Sequence, residues 1–217
     1  MCGPACDAKL PLGLRTPTHH LDRPTAWRVD GVETPKTEKE AHGEFESEHP
    51  GYCGAQDTFY VGNLKGVGRI YQQTFIDTYT KVSFAKLYDR KTSITAADLL
   101  NDRVLPFFEE HDVKLLRVLT DRGSEFCGNP ERTSTSCISR SRTSITRFHK
   151  TALNEFYRVA FRKKVYRSTD ELQADLDTWI KEYNEARSHQ GRWCFGKTPM
   201  QTFLDAMPMT KEKMIAA

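Results

Sequence analysis

Asp57 and Asp121 are the two residues of this sequence best placed to do chemistry. Asp57 opens a strand-like run, Asp57 to Val61, and Asp121 follows a compact apolar run, Leu115 to Leu119, within the string Leu-Thr-Asp-Arg-Gly-Ser-Glu-Phe of residues 119–126. A carboxylate at the edge of a hydrophobic sheet is held rigidly and still reached by water, which suits a hard divalent cation such as magnesium. Either aspartate alone is more often a turn former or a helix cap, so the pair is only a mild pointer towards metal chemistry. Positive charge is also concentrated: from Arg132 to Arg167 there are ten Lys or Arg and a single acid, Glu155. Within that stretch Arg158, Arg162, Lys163, Lys164 and Arg167 alternate with Phe156, Phe161 and Tyr166. Such a surface is expected to meet DNA phosphates in a salt-sensitive way that is largely indifferent to sequence. The competing reading is a helix with one core face and one solvated basic face. His149 has no His or Cys partner at ligand spacing and reads as a helix-surface residue.

The elements that must hold these residues follow from periodicity. Asp57 to Val61, Arg69 to Asp77 and Lys81 to Tyr88 are strand-like, and the turns at Gly62–Gly68 and Asp77–Thr80 make them successive antiparallel hairpins. Thr95 is predicted to cap a helix carrying Ala96, Leu99, Leu100, Val104, Leu105 and Phe108, and Leu115 to Leu119 forms a fourth strand. Phe148 to Arg162 and Ser168 to Arg187 read as amphipathic helices, the second with Leu172, Leu176, Trp179, Ile180 and Tyr183 on one face. The pattern is mixed α/β.

Composition narrows the class further. A chain of 217 residues with a net charge of +3 permits nucleic-acid contact without demanding it. Six cysteines at 2, 6, 53, 127, 137 and 194 match neither a disulfide framework nor a paired zinc motif, which predicts free thiols in a reducing compartment. No apolar run is long enough to span a bilayer and the N-terminus has no signal core, so the protein is expected to be soluble and cytoplasmic, with no membrane partner. Residues 1–50 carry six prolines and little periodicity, and read as a disordered or linker segment ahead of a core at 51–204, with 205–217 a C-terminal tail.

Five strings occur in order: Gly51-Tyr-Cys-Gly-Ala-Gln-Asp-Thr-Phe59, Phe75-Ile-Asp-Thr-Tyr79, Leu119-Thr-Asp-Arg-Gly123, Arg147-Phe-His-Lys-Thr151 and Gly196-Lys-Thr-Pro-Met200. Together they resemble the catalytic core of bacterial insertion-sequence transposases of the integrase type, over about residues 37–130 and 147–204. The resemblance implies a ribonuclease H-like fold, a mixed sheet of strand order 3-2-1-4 flanked by helices. It also implies DNA strand transfer, as in integration and transposition, by three carboxylates that hold two Mg2+ or Mn2+ ions clamping an in-line displacement at phosphorus. The implied partners are DNA, as transposon ends and target, and further copies of the chain in a homo-oligomer.

On this resemblance Asp57 and Asp121 are the first two catalytic, metal-binding carboxylates, and the third, a glutamate directly before Arg147-Phe-His-Lys, is replaced by Thr146. A neutral hydroxyl is a poor ligand for a hard cation, so catalysis is expected to fall close to background. Glu155 lies about half a helical turn out of phase with position 146 and is not expected to substitute; Glu125 reads as a solvated loop acid. Residues 133–147, Thr-Ser-Thr-Ser-Cys-Ile-Ser-Arg-Ser-Arg-Thr-Ser-Ile-Thr-Arg, are unlike the family's sequence at this place. The family-like string HEYELYLAVEDIDHTR, written in GC-rich codons and read one nucleotide late, yields the same fifteen residues. A one-base slip near residue 132, with frame restored near Phe148, would remove both the glutamate and the segment that forms the fifth strand. With Ile138 and Ile145 its only large aliphatic residues, the aberrant stretch 132–147 is expected to stay mobile and to leave strand four with an open edge. Residues 1–50 show no helix-turn-helix pattern. A non-catalytic DNA-binding or assembly fragment that interferes with intact transposase is the alternative function, and a reading frame without a selected role is a third.

Overall fold

The computed structural model describes residues 47–120 and 138–215, with the side chains of 138–143 and 215 left aside. The segment expected to be a linker therefore falls outside the described residues as far as residue 46, as do 132–137 of the aberrant stretch. Three strands, β1 (Gly54–Leu64), β2 (Gly68–Asp77) and β3 (Ser83–Tyr88), form two antiparallel hairpins. A fourth, β4 (Val118–Thr120), runs parallel to β1 and completes the order β3-β2-β1-β4. This is the predicted mixed sheet, and among the described residues β4 is an edge strand. β4 is shorter than the predicted run from Leu115, and its three residues are half-buried, since the chain pairs with β1 only from Gly54↔Val118 to Gln56↔Thr120.

Side chains alternate between the two faces of the sheet, as the pleat requires. On one face Ala55, Ile70, Ile76, Ala85 and Leu87 meet α3 (Ile138–Thr151) and α5 (Thr169–Glu185) through Ile145, Phe148, Leu172, Leu176 and Ile180. On the other, Phe75 and Val82 pack with Leu99 at the end of α1 (Ser93–Leu99), Phe108 in α2 (Leu105–Glu110) and Phe203 in α6 (Pro199–Ile215). Gly54 sits where a Cβ would fall 2.1 Å from Phe75 Cζ, so the aromatic ring occupies the space that any larger residue would need.

Three expectations are corrected. The first helix is capped by Thr92 rather than Thr95: Thr92 Oγ1 accepts from Thr95 N and Thr95 Oγ1 accepts from Thr92 N, a reciprocal capping box that places Thr95 inside the helix. A π-helical stretch, Leu100–Val104, then links α1 to α2. Residues 138–147, expected to lack order, are the first ten residues of α3, in which Ile145 is 3% exposed and Phe148 2% exposed. Two aliphatic side chains are too narrow a criterion because Phe148 and Ala152 continue the same face. The C-terminal segment 205–217, read as a tail, stays helical to Ile215, burying Ala206 and Thr210 despite Pro208 inside the helix. Among the described residues no helix is long and apolar enough to cross a membrane.

Candidate active site

Asp57 is the fourth residue of β1 and lies opposite Thr74 of β2, on the face covered by α3. It therefore stands inside the strand rather than at its start, and its side chain is 29% exposed. Its Oδ1 accepts from the Thr58 backbone N–H at 2.7 Å. α3 packs against β1, β2 and β4, and from it His149 descends into the sheet. His149 is buried, not on the helix surface. Its Nε2 lies 3.0 Å from Thr74 Oγ1, its ring stacks on Phe59 at 5.0 Å, and its Nδ1 stands 3.8 Å from Asp57 Oδ2. At 3.8 Å there is no hydrogen bond to Asp57, and burial dominates, pushing the imidazole down to about 4. The ring beside Asp57 is therefore neutral near pH 7.

Thr146 is exposed on α3. It comes three positions before His149, so it lies about one turn nearer the helix N-terminus, rotated by roughly 60° from the histidine. Asp121 and Glu125 fall outside the described residues. β4 ends at Thr120, the register partner of Gln56, and each of these two residues immediately precedes one of the predicted aspartates in the sequence. Among the described residues there is no cluster of three His, Cys, Asp or Glu that could hold a metal ion.

Glu155 is turned elsewhere. It lies in a π-helical stretch, Ala152–Tyr157, that follows α3, and it pairs with Arg187 beyond α5. Trp179 and Glu182 of α5 line the same recess. The π stretch does alter the helical phase assumed from the sequence, yet the ion pair shows that the glutamate faces α5 and not Asp57.

The basic residues occupy α4 (Arg158–Lys163) and the extended segment after it, and all five are exposed. They are not equivalent. Lys164 Nζ pairs with Asp175 at 3.0 Å and lies 4.9 Å from the Tyr166 ring centre, whereas Arg158 donates to Asn154 Oδ1 at 2.8 Å. Arg162 and Lys163 end α4, where cations also complement the helix dipole. Of the interleaved aromatics, Phe156 and Tyr166 are buried and Phe161 is 42% exposed. The Phe161 ring itself stacks on Tyr157 at 5.8 Å and meets Tyr166 edge-on at 5.9 Å.

No protein-family model and no curated protein matches the chain by sequence. Solved structures do match it in fold. The catalytic core domain of BIV integrase aligns with a TM-score of 0.51 at 15% identity, covering 74% of this chain and 99% of that one. The simian T-cell lymphotropic virus intasome in complex with the PP2A regulatory subunit B56 gamma aligns with a TM-score of 0.55 at 15% identity, covering 74% of this chain and 56% of that one. The HTLV-2 integrase catalytic core domain in complex with magnesium aligns with a TM-score of 0.46 at 15% identity, covering 73% of this chain and 99% of that one. The four-stranded mixed sheet flanked by helices is thus the ribonuclease H-like fold of an integrase core.

Proposed function

We propose that the chain is the catalytic core of an integrase-type insertion-sequence transposase whose strand-transfer chemistry is crippled in this copy. The observation that carries this reading is the pairing of Gln56 with Thr120 on adjacent parallel strands. The residue that follows each of them is one of the two aspartates that the resemblance assigns to the metal ions. α3, carrying Thr146, packs across both strands.

In intact relatives a divalent ion, Mg2+ or Mn2+, would supply charge neutralisation at the attacking and leaving oxygens. The side chains present fit such a group only in part. Asp57 offers carboxylate oxygens, His149 is neutral and engaged by Thr74, and Thr146 contributes at most a hydroxyl. What the chain's own residues still do is hold Asp57 among Phe59, Thr74 and His149 and, through the exposed cations of α4, attract DNA backbone. With Thr146 at the third position, the resemblance leaves two carboxylates, Asp57 and Asp121, where a pair of ions calls for three. The function that remains is contact with DNA and with copies of the transposase. An origin by frame slippage over residues 133–147 would account for the lost glutamate and the aberrant composition together.

A strand-transfer assay tests the proposal, with the present chain set beside a version in which the family-like segment and its glutamate are restored. The restored chain should join DNA and the present chain should not. Comparable turnover by both would defeat the account of the missing ligand. The gene sequence gives an independent check, since an alternative frame across these codons must encode a family-like segment.

A further inference from the structure

A cavity of about 310 Å³ lies between α3, the end of α5 and the turn that joins β2 to β3. Its polar wall is cationic. Lys81 comes from the turn, Arg147 and Ser144 from α3, and Arg187 and His189 from the segment after α5; no carboxylate stands among the described residues that line it. Ser144, Arg147 and Thr151 occupy a face of α3 roughly 160° around the helix from the side bearing Thr146 and His149. The cavity is thus separate from the candidate active site and independent of the function proposed above.

The donors in this cavity are under-used. Lys81 Nζ donates to Thr78 O at 2.6 Å and to Ser144 Oγ at 3.3 Å, which engages two of the three hydrogens an ammonium carries. His189 Nε2 is buried without a hydrogen-bond partner among the described residues. Its position is not a matter of a loose side chain: His189 N donates to Lys197 O at 3.0 Å, Gly196 N donates to His189 O at 2.8 Å, and the ring packs edge-on against Tyr183. A buried ring nitrogen without a partner is costly and marks a place where something polar is missing.

Charge within the cavity is also unbalanced. Arg187 is met by Glu155 on the outer side. Asp77, the acid nearest in sequence to Lys81, has its carboxylate engaged by Gly51 N, Thr80 N and Thr80 Oγ1. Lys81 and Arg147 both line the cavity. Burial is the main effect lowering both Lys81 and His189; beyond it, Asp77 raises Lys81 while Arg147 lowers it, and Arg187 and Lys81 lower His189 while Glu155 raises it. A ligand with two negative charges and several acceptor oxygens would answer both cations and the unpaired ring nitrogen, and the volume leaves room for a substituent on it.

We propose that this cavity is a phosphate-binding site, taking inorganic phosphate or the phosphate of an ester between Lys81, Arg147 and His189. The full chain is titrated with inorganic phosphate by calorimetry and by phosphorus NMR, alongside Arg147→Gln and Lys81→Met. Saturable binding is expected, weakened about tenfold or more by each variant, as befits removal of a charge-assisted hydrogen bond. Arg147 is exposed, so its variant keeps the fold and decides the matter even where Lys81→Met does not fold. A nucleoside monophosphate and a duplex oligonucleotide, used as competitors, then distinguish the source. Displacement by the duplex assigns the site to a nucleic-acid backbone, and displacement by the mononucleotide alone assigns it to a small phosphomonoester. Absence of saturable phosphate binding, or binding that Arg147→Gln leaves unchanged, overturns the proposal.

Discussion

Acidification should destabilise this fold through His149, and the size of the effect follows from where the ring sits. His149 is 7% exposed and its imidazole is pushed from an ordinary value near 6.5 down to about 4 by burial. The unfolded chain therefore takes up a proton at a pH where the folded chain refuses it. Stability contributed by the neutral ring is present above about pH 6.5 and is lost progressively as the pH falls towards about 4. A shift of that size corresponds to roughly 3 kcal/mol in full, of which about 2 kcal/mol should be lost between about pH 7 and about pH 5. Urea unfolding followed by tryptophan fluorescence at those two pH values measures it, with His149→Gln as the comparison. The glutamine can still hydrogen-bond Thr74 but cannot titrate. His189, also pushed down to about 4, is present in both proteins and cancels. The native chain should lose about 2 kcal/mol more than the variant on acidification; equal losses would show that the ring is not buried beside Asp57 as described.

Three further outcomes follow from packing and charge. Gly54→Ala places a methyl 2.1 Å from Phe75 Cζ and should lower stability by about 1–3 kcal/mol, read as a lower urea midpoint. Phe148→Ala removes a buried ring shared by α3 and α5 and should cost about 3–5 kcal/mol, with loss of amide protection over residues 144–151; a variant as stable as the native chain would show that α3 does not dock. Replacing both Arg162 and Lys163 with alanine should weaken non-specific DNA binding and flatten its salt dependence by about one unit of slope for each DNA phosphate no longer neutralised, while Lys164→Ala, whose cation is already paired with Asp175, should do less.

Much of this architecture is legible in the chain because its strands are regular. Arg69 to Asp77 and Lys81 to Tyr88 are bounded by turns, and their alternation places them within two residues of the observed β2 and β3. The strand order comes from the resemblance rather than from periodicity, and the sheet agrees with it. Other features are hidden for physical reasons. Pro208 and the polar residues around it look like a tail, but Phe203 and Ala206 are buried on the inner side of α6 and carry the helix through. Residues 138–147 look too polar to order, yet only one face of a helix needs to be apolar, and that face continues past the aberrant stretch. The burial of His149 escapes a reading of the sequence because its partners, Phe59 and Thr74, lie on two different strands. Its spacing of three from Thr146 is the one local signal that the same side of the helix looks towards Asp57. The cationic cavity is equally invisible in the sequence, since Lys81, Arg147 and His189 meet only after three elements have packed.

Divalent-ion titration is the most direct measurement of the central claim. Calorimetry with Mn2+ should detect weak occupancy of a single ion at most in the present chain, and tight uptake of two in the chain with the glutamate-bearing segment restored. Two tightly held ions in the present chain, together with joined DNA products, would contradict the account.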